Sequence, residues 1–373
     1  MISDRARMDA YTQALRQWIR PGSVVLDLGT GTGILAMLAC QCGAGKVYAV
    51  DCSDAVQIAI DGARENGLSN RVVVIQRRST EVTLPEPVDT IVSDLRGVLP
   101  QFQRSLPDLI DARDRFLARG GRLIPRSDSL WISVAELTDR HEKLLAPWLS
   151  APLGLNLEAG ARYVANSWLK VHAQANQLLA PPSMWGEIDY SSITSPNAQG
   201  SGELRIFRDG VAHGLAVWFD AELAEGIGFS NAPGGPELIY GQAFFPWPEA
   251  APVRQGDVVA YRIRADLVGS DYVWTWSSEV HRGSSQGSVD AQFRQSTFLA
   301  APLTKETLER RSPAHAPGLG EEGQAVRSAL ELMGSGSSLD EVARELQKGY
   351  PARFRSWQEA LDFASDLSSR YGR

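Results

Sequence analysis

The sequence predicts an α/β domain built on a parallel sheet, followed by an antiparallel β-barrel domain and a small helical C-terminal domain. Three observations carry this order. From Ser23 to Ile132, short Val, Ile and Leu runs alternate with longer amphipathic stretches, the β-α-β-α pattern of a parallel sheet covered by helices. Beyond Leu130 the texture changes to short alternating runs rich in Trp, Val, Tyr and Thr, broken by Gly and Pro. From Gln324 to Tyr371 apolar residues recur at helical spacing, as in Leu339, Val342, Ala343 and Leu346.

The strands of the first domain are read at Val24–Leu26, Val47–Val50, Val72–Ile75 and Thr90–Val92. Helices are read at Ile34–Cys42, Ser53–Asn66 and Leu106–Ala118, the second capped by Ser53 and stopped near Gly67. In the β domain the runs are Glu203–Phe207, Leu215–Phe219, Val258–Ile263 and Asp271–Ser277. Residues Arg311–Gly323 are rich in Pro and Gly and read as a linker. The expected spans are therefore 1–130, 131–310, the linker 311–323, and 324–373.

The length of 373 residues suits two or three domains. Lys and Arg number 37 against 44 Asp and Glu, a net charge of −7 that exerts no global pull on nucleic acid or an anionic membrane. No nucleic-acid or membrane partner is expected. The three cysteines Cys40, Cys42 and Cys52 lie close together with no second Cys or His cluster to complete a zinc site, so reduced thiols and a cytoplasmic location are expected. The five histidines have no metal-ligand spacing, and no metal is expected.

Chemistry concentrates in Val24-Val25-Leu26-Asp27-Leu28-Gly29-Thr30-Gly31-Thr32-Gly33, which places a glycine-rich turn between a buried strand and a helix. Glycines there let the backbone approach a ligand closely. No Gly-Lys-Ser/Thr follows, which excludes a P-loop. Asp51 ends the second strand, about 20 residues on, where a carboxylate accepts hydrogen bonds from ribose hydroxyls. A dinucleotide site shares these features. Asp27 points elsewhere, because a carboxylate ahead of the glycines serves a nucleoside bearing an amino acid and does nothing for a pyrophosphate. The cofactor that follows is S-adenosylmethionine (SAM), held by the loop residues Asp27, Gly29, Gly31, Thr32 and Gly33 and by Asp51 and Cys52 at the end of the second strand.

The motif Asp4-x-x-Arg7-x-x-x-Tyr11, the stretch VVLDLGTGTGILAMLACQCGAGKVYAVDCS, Asp111-Ala-Arg-Asp-Arg-Phe-Leu and Gly121-Arg-Leu-Ile-Pro125 together resemble the SAM-binding domain of the protein arginine methyltransferase family. Trp218-Phe-Asp, Gly228-Phe-Ser and Arg254-Gln-Gly-Asp257 resemble its β-barrel, so the likeness runs from about Met1 to Arg282. The resemblance implies that Arg7 pairs with the SAM carboxylate, that Gly29, Gly31 and Gly33 lie under the methionine portion, and that Asp51 binds the ribose. It also implies that Ser79 and Thr80 flank the adenine, although the family has an acidic residue where Thr80 stands.

The sequence departs from the family on the loop after the fourth strand. There the family holds a guanidinium with two glutamates nine residues apart; here Asp94 and Gln103 stand at those positions, and Arg96 adds a positive charge between them. Leu238-Ile239-Tyr240 replaces the family's Thr-His-Trp. The family's helix ahead of its Asp-x-x-Arg segment has no counterpart before Met1, so part of a cofactor lid is expected from Trp or Tyr residues of the β domain. With Asp94, Arg96 and Gln103 as the catalytic set, the sequence predicts methyl transfer to an oxygen or nitrogen of a small molecule or peptide intermediate, as in natural-product biosynthesis, rather than to protein arginine. A divergent arginine N-methyltransferase and a SAM-binding pseudoenzyme or scaffold stay open as alternatives. The C-terminal segment weakly resembles peptide-binding modules of the PqqD type, through a helix, a Gly/Ser turn and a capping box at Ser338 and Glu341. Peptide binding by that module and a homodimer are both open.

Overall fold

The computed structural model describes residues 2–284 and 288–372. Met1, which opens the expected first domain, and Arg373, which closes the last, lie outside the described residues. The chain divides into two compact units, Met1–Pro302 and Leu303–Arg373.

The first unit begins with α1 (Arg5–Trp18), followed by β1 (Val24–Leu28), α2 (Ile34–Gln41), β2 (Lys46–Asp51), α3 (Val56–Glu65), β3 (Val72–Gln76), β4 (Val88–Ser93), α4 (Ser105–Phe116) and β5 (Leu117–Ile124). The five strands form a parallel sheet in the order β3-β2-β1-β4-β5. Val25, Leu26, Val47, Ala49, Ile91 and Val92 are fully or almost fully buried, as expected for strands covered on both faces. Chain order reverses between β1 and β4, and in such sheets ligands bind beyond the strand C-termini at that switch point. The glycine loop leaves β1 there, and Asp94 follows β4.

The β domain contains β6 (Ser127–Ala135), α5 (Thr138–Leu149), α6 (Ala161–Val164), β7 (Leu169–Val171), β8 (Ser183–Asp189), β9 (Ala198–Arg205), β10 (Gly210–Ala224), β11 (Ile227–Ser230), β12 (Gln242–Val253), β13 (Val258–Val268), β14 (Asp271–His281) and β15 (Val289–Ser296). Its ladders form two antiparallel sheets, β7-β12-β10-β6-β8 with β11 on β10, and β15-β14-β13-β9. Among the described residues no ladder joins β12 to β15, so by hydrogen bonding the strands of this domain fall into two antiparallel sheets. Pro246 and Pro248 deprive β12 of amide donors at that margin, and the Gln295 side-chain amide donates to the Pro246 carbonyl instead. Trp247, Trp274, Trp276 and Phe245 fill the interior between the sheets.

The second unit holds α7 (Lys305–Arg310), α8 (Glu321–Gly334), α9 (Leu339–Gly349) and α10 (Trp357–Tyr371). Ser338 and Glu341 make the reciprocal capping box at the start of α9. Ala329, Val342, Leu346, Phe354 and Ala364 form a small core. Helix α8 starts at Glu321, inside the stretch read from sequence as linker, because Glu321 and Glu322 in its first turn favour a helix N-terminus.

Candidate active site

The loop after β1 turns on three glycines in left-handed conformations, Gly29 (φ 76°), Gly31 (φ 51°) and Gly33 (φ 79°). Their tasks differ. A Cβ on Gly33 would lie 2.7 Å from the Ala59 Cβ, so this glycine lets α2 and α3 pack; a Cβ on Gly31 would meet nothing within 4 Å, so it faces open space. Thr32 lies half-buried between them.

Asp27 is fully buried on β1. One carboxylate oxygen, Oδ2, accepts from the Thr30 hydroxyl (2.6 Å) and the Ala36 amide (2.9 Å), while Oδ1 has no hydrogen-bond partner among the described residues. Burial pushes its pKa up to about 7, against the lowering effect of those two hydrogen bonds. An unpartnered buried carboxylate oxygen under a glycine loop suits a cationic amino group. Asp51 braces the same loop, its Oδ2 accepting from the Gly31 amide (2.9 Å) and its Oδ1 from Ser53 (2.8 Å).

A cleft of about 440 Å³ opens at the switch point. Of the residues predicted for the cofactor, Gly29, Asp51, Cys52 and Ser79 line it, and so does Gln103 from the loop after β4. Thr80 is exposed and does not line it; the 3-10 turn Ser79–Glu81 presents Ser79 inward instead. Arg7, Asp27, Gly31, Thr32, Gly33, Asp94 and Arg96 do not line it. Arg77, Arg78 and Arg104 line it and were not singled out from sequence. The β domain contributes Ser270 and Asp271 from the β13–β14 turn, rather than the Trp or Tyr residues expected.

Beside the cleft, α1 supplies the next layer. Asp4 caps the helix by accepting from the Arg7 amide, and Arg7 and Tyr11, four residues apart, share its buried face. Arg7 forms an ion pair with Asp94, with both side chains buried. Asp94 Oδ1 also lies 3.1 Å from the Tyr11 hydroxyl and accepts from the Tyr240 hydroxyl at 2.6 Å. Burial raises both tyrosines well above the ordinary phenol range, so they remain donors at neutral pH. In the segment Leu238-Ile239-Tyr240 the Ile239 amide donates to Asp4 Oδ2 at 2.9 Å, which joins this segment to the N-terminus of α1.

Arg96, read from sequence as a positive charge between Asp94 and Gln103, is turned away from both. Its side chain is 3% exposed and its guanidinium donates to Asp128 at 3.0 Å, on the side of the β domain. The Tyr190 hydroxyl donates to the same carboxylate. Burial opposes the charge on Arg96 but is outweighed by Asp128 and neighbouring tyrosines, so the group stays ionised. Asp128 was missed from sequence, although a signal existed: it occupies an inward phase of alternating β6. Gln103 is exposed at the cleft with φ 45°, a left-handed conformation uncommon for a residue with a Cβ. Among the described residues no group of three or more His, Cys, Asp or Glu is placed to hold a metal ion.

A parallel sheet with this switch point, a glycine loop after β1, and an acidic residue at each of the β1 and β2 positions define a class I SAM-dependent methyltransferase. Comparison with known proteins supports the class and narrows it. Residues 10–124 match the family described as ribosomal protein L11 methyltransferase (PrmA), and residues 127–270 match the arginine methyltransferase oligomerization subdomain. Protein arginine N-methyltransferase 6 of Xenopus laevis is 32% identical over 271 residues, covering 68% of this chain and 79% of that protein. The probable protein arginine N-methyltransferase 6 of Arabidopsis thaliana is 33% identical over 233 residues, and the match spans 60% of this chain and about half of that relative, 53%. In fold, the crystal structure of Arabidopsis thaliana protein arginine methyltransferase 10 superposes with a TM-score of 0.70 at 23% identity, covering 80% of this chain and 96% of that one. The Trypanosoma brucei PRMT1 enzyme-prozyme complex with AdoHcy gives 0.70 at 22%, covering 79% and 96%. The chain belongs to the protein arginine N-methyltransferase family, and its cofactor is SAM.

Proposed function

We propose that this chain is a divergent arginine N-methyltransferase that passes a methyl group to a guanidinium nitrogen of a peptide or protein, with Asp94 receiving the acceptor. One observation carries the reading: Asp94 already holds a guanidinium, that of Arg7, flanked by the hydroxyls of Tyr11 and Tyr240. A carboxylate that satisfies one guanidinium in a buried, hydrogen-bonded setting is chemically fit to orient another. The names of the relatives point the same way.

The residues fit the cofactor. Asp27 would take its amino group, Gly29, Gly31, Thr32 and Gly33 would pass beneath it, Asp51 and Cys52 would meet the ribose, and Ser79 would flank the base. When bound, SAM supplies an electrophilic methyl on a sulfonium. Arg7 would move from Asp94 to the cofactor's carboxylate, since one guanidinium fork serves one carboxylate well. Asp94 would then be exposed to the acceptor, with Tyr11 and Tyr240 still fixing its orientation. Rate would come mainly from that positioning.

A second reading rests on Gln103. With a neutral amide at the cleft, charge neutralisation of a guanidinium falls to Asp94 alone, which favours an oxygen or nitrogen acceptor on a small molecule or peptide intermediate. The test is mass spectrometry of arginine-containing peptides and of a carboxylate-bearing metabolite pool after incubation with SAM, using wild type and Gln103→Glu. Methylated arginine, increased by Gln103→Glu, supports the first reading; methylated metabolites alone support the second. Failure to bind SAM in calorimetry would leave only a scaffold role.

Self-association fits the oligomerization-subdomain match and a run of exposed leucines at and beyond the end of α5, Leu149, Leu153, Leu155 and Leu157. Three free cysteines are compatible with a reducing, cytoplasmic setting, and among the described residues no helix is long and apolar enough to cross a membrane. For residues 324–373 peptide capture rests on the sequence likeness to PqqD-type modules, and a packing or dimer-supporting role stays open beside it.

A further inference from the structure

Arg96 lies two residues beyond Asp94 on the loop that also carries Gln103, yet it points away from both. The groups its guanidinium pairs with or stacks on belong to the β domain: Asp128 on β6, Phe219 on β10 (5.1 Å from guanidinium to ring centroid), Phe229 on β11 (5.6 Å), and Tyr190 after β8 through their shared carboxylate, while Tyr11 of α1 also favours its charge. The loop itself leaves the parallel sheet at β4, so one side chain ties an element of the SAM domain into the β domain.

The tie is an expensive one for stability alone. A buried ion pair loses the hydration of both charges, and an apolar residue of similar volume often stabilises as well or better. Here Arg96 Nη1 and Asp128 Oδ1 have no hydrogen-bond partner among the described residues, so desolvation is only partly compensated. What the pair supplies that a methionine would not is direction, because a guanidinium on a fixed carboxylate between two aromatic faces has one position. The chain beyond it depends on that position. Gly97 follows at once, where a Cβ would come within 2.6 Å of the Phe102 ring, so the loop doubles back tightly and brings Gln103 to the cleft. A second, weaker tie runs from the Asn231 side-chain amide to the Val98 carbonyl at 3.3 Å.

We propose that Arg96 is a positioning residue whose ion pair with Asp128 fixes the 94–103 loop against the β domain and thereby sets where Asp94 and Gln103 stand at the acceptor end. The consequence for the reaction rests on the methyl-transfer reading above; the consequence for the loop does not.

The experiment compares the full chain with Arg96→Met, Arg96→Lys and the charge-balanced Arg96→Met/Asp128→Asn, which avoids a bare buried carboxylate should Arg96→Met fail to fold. Hydrogen exchange of the 95–103 amides should quicken by about tenfold or more in the double variant. Calorimetric affinity for S-adenosylhomocysteine should stay within about twofold, since Arg96 does not line the cofactor cleft. On whichever acceptor the wild type methylates, kcat should fall with the KM for SAM unchanged, and Arg96→Lys should recover part of it. Wild-type exchange across 95–103 in a folded double variant overturns the proposal. So does an unchanged kcat. A wild type that methylates no arginine peptide defeats the arginine reading while leaving the exchange result to decide this one.

Discussion

Arg7 on α1 and Asp94 just past β4 form an ion pair inside the site, their side chains 2% and 6% exposed. That contact couples the cofactor side to the acceptor side through one guanidinium. Arg7→Ala should therefore act in opposite directions on two ligands. Affinity for S-adenosylhomocysteine should fall by about tenfold or more, the worth of a charge-assisted pair. Binding of ethylguanidine to the cofactor-free protein should increase, because Asp94 is released. Calorimetry on both ligands decides it; loss of both affinities in a folded variant would contradict the coupling.

Asp27 makes the protein's stability depend on pH in a predictable direction. Its carboxyl titrates at about 7 when folded, against 3.8 as the ordinary value. Below pH 4 both states are protonated and nothing is lost. Between about pH 4 and 7 the unfolded chain releases the proton while the folded chain keeps it, so stability declines as pH rises, by about 4 kcal/mol across that window. Asp27→Asn should flatten this slope in urea titrations from pH 4 to 8. A cationic amino group placed on Oδ1 favours the ionised form, so cofactor binding should release a proton near pH 6.5. Calorimetry in buffers of different ionisation heat measures that release; a value of zero would separate Asp27 from the cofactor.

The leucines after α5 predict the state of assembly. Leu153 is 99% exposed and Leu155 59%, more apolar surface than an isolated chain usually leaves on one short segment. Light scattering at micromolar concentration should give about twice the chain mass, and Leu153→Asp with Leu155→Asp should return the monomer without changing the thermal midpoint. A monomeric wild type would refute self-association.

Much of this was readable from sequence, and the limits have physical causes. The strand runs at Val24–Leu26, Val47–Val50 and Thr90–Val92 signal themselves because strands covered on both faces are largely apolar, and the glycine loop does so because its backbone angles disfavour other residues. The sheet boundary between β12 and β15 was hidden, since it depends on which strands fail to pair. The direction of Arg96 was hidden for a related reason. A loop residue has no periodicity to give its direction, and its partner Asp128 lies 32 positions away on a strand where one charged residue interrupts an apolar phase. Tyr11 and Tyr240 converge on Asp94 from opposite ends of the first unit, a meeting that only tertiary structure creates.

Two glycines of the loop should separate folding from binding. Alanine at Gly33 must adopt φ 79° and bring its Cβ to 2.7 Å from that of Ala59, with a helix behind each, so neither can easily retreat. Gly33→Ala should cost about 2–3 kcal/mol in urea unfolding. Alanine at Gly31 pays only for φ 51°, about 1 kcal/mol, because no atom lies within 4 Å of the added carbon. The methyl would instead occupy the open space above the loop, where the cofactor is proposed to lie. Gly31→Ala should keep most of its stability and lose about tenfold or more in affinity for S-adenosylhomocysteine, the reverse of the balance at Gly33. Equal losses of affinity at the two positions, after correction for unfolded protein, would mean that Gly31 faces solvent and not the ligand.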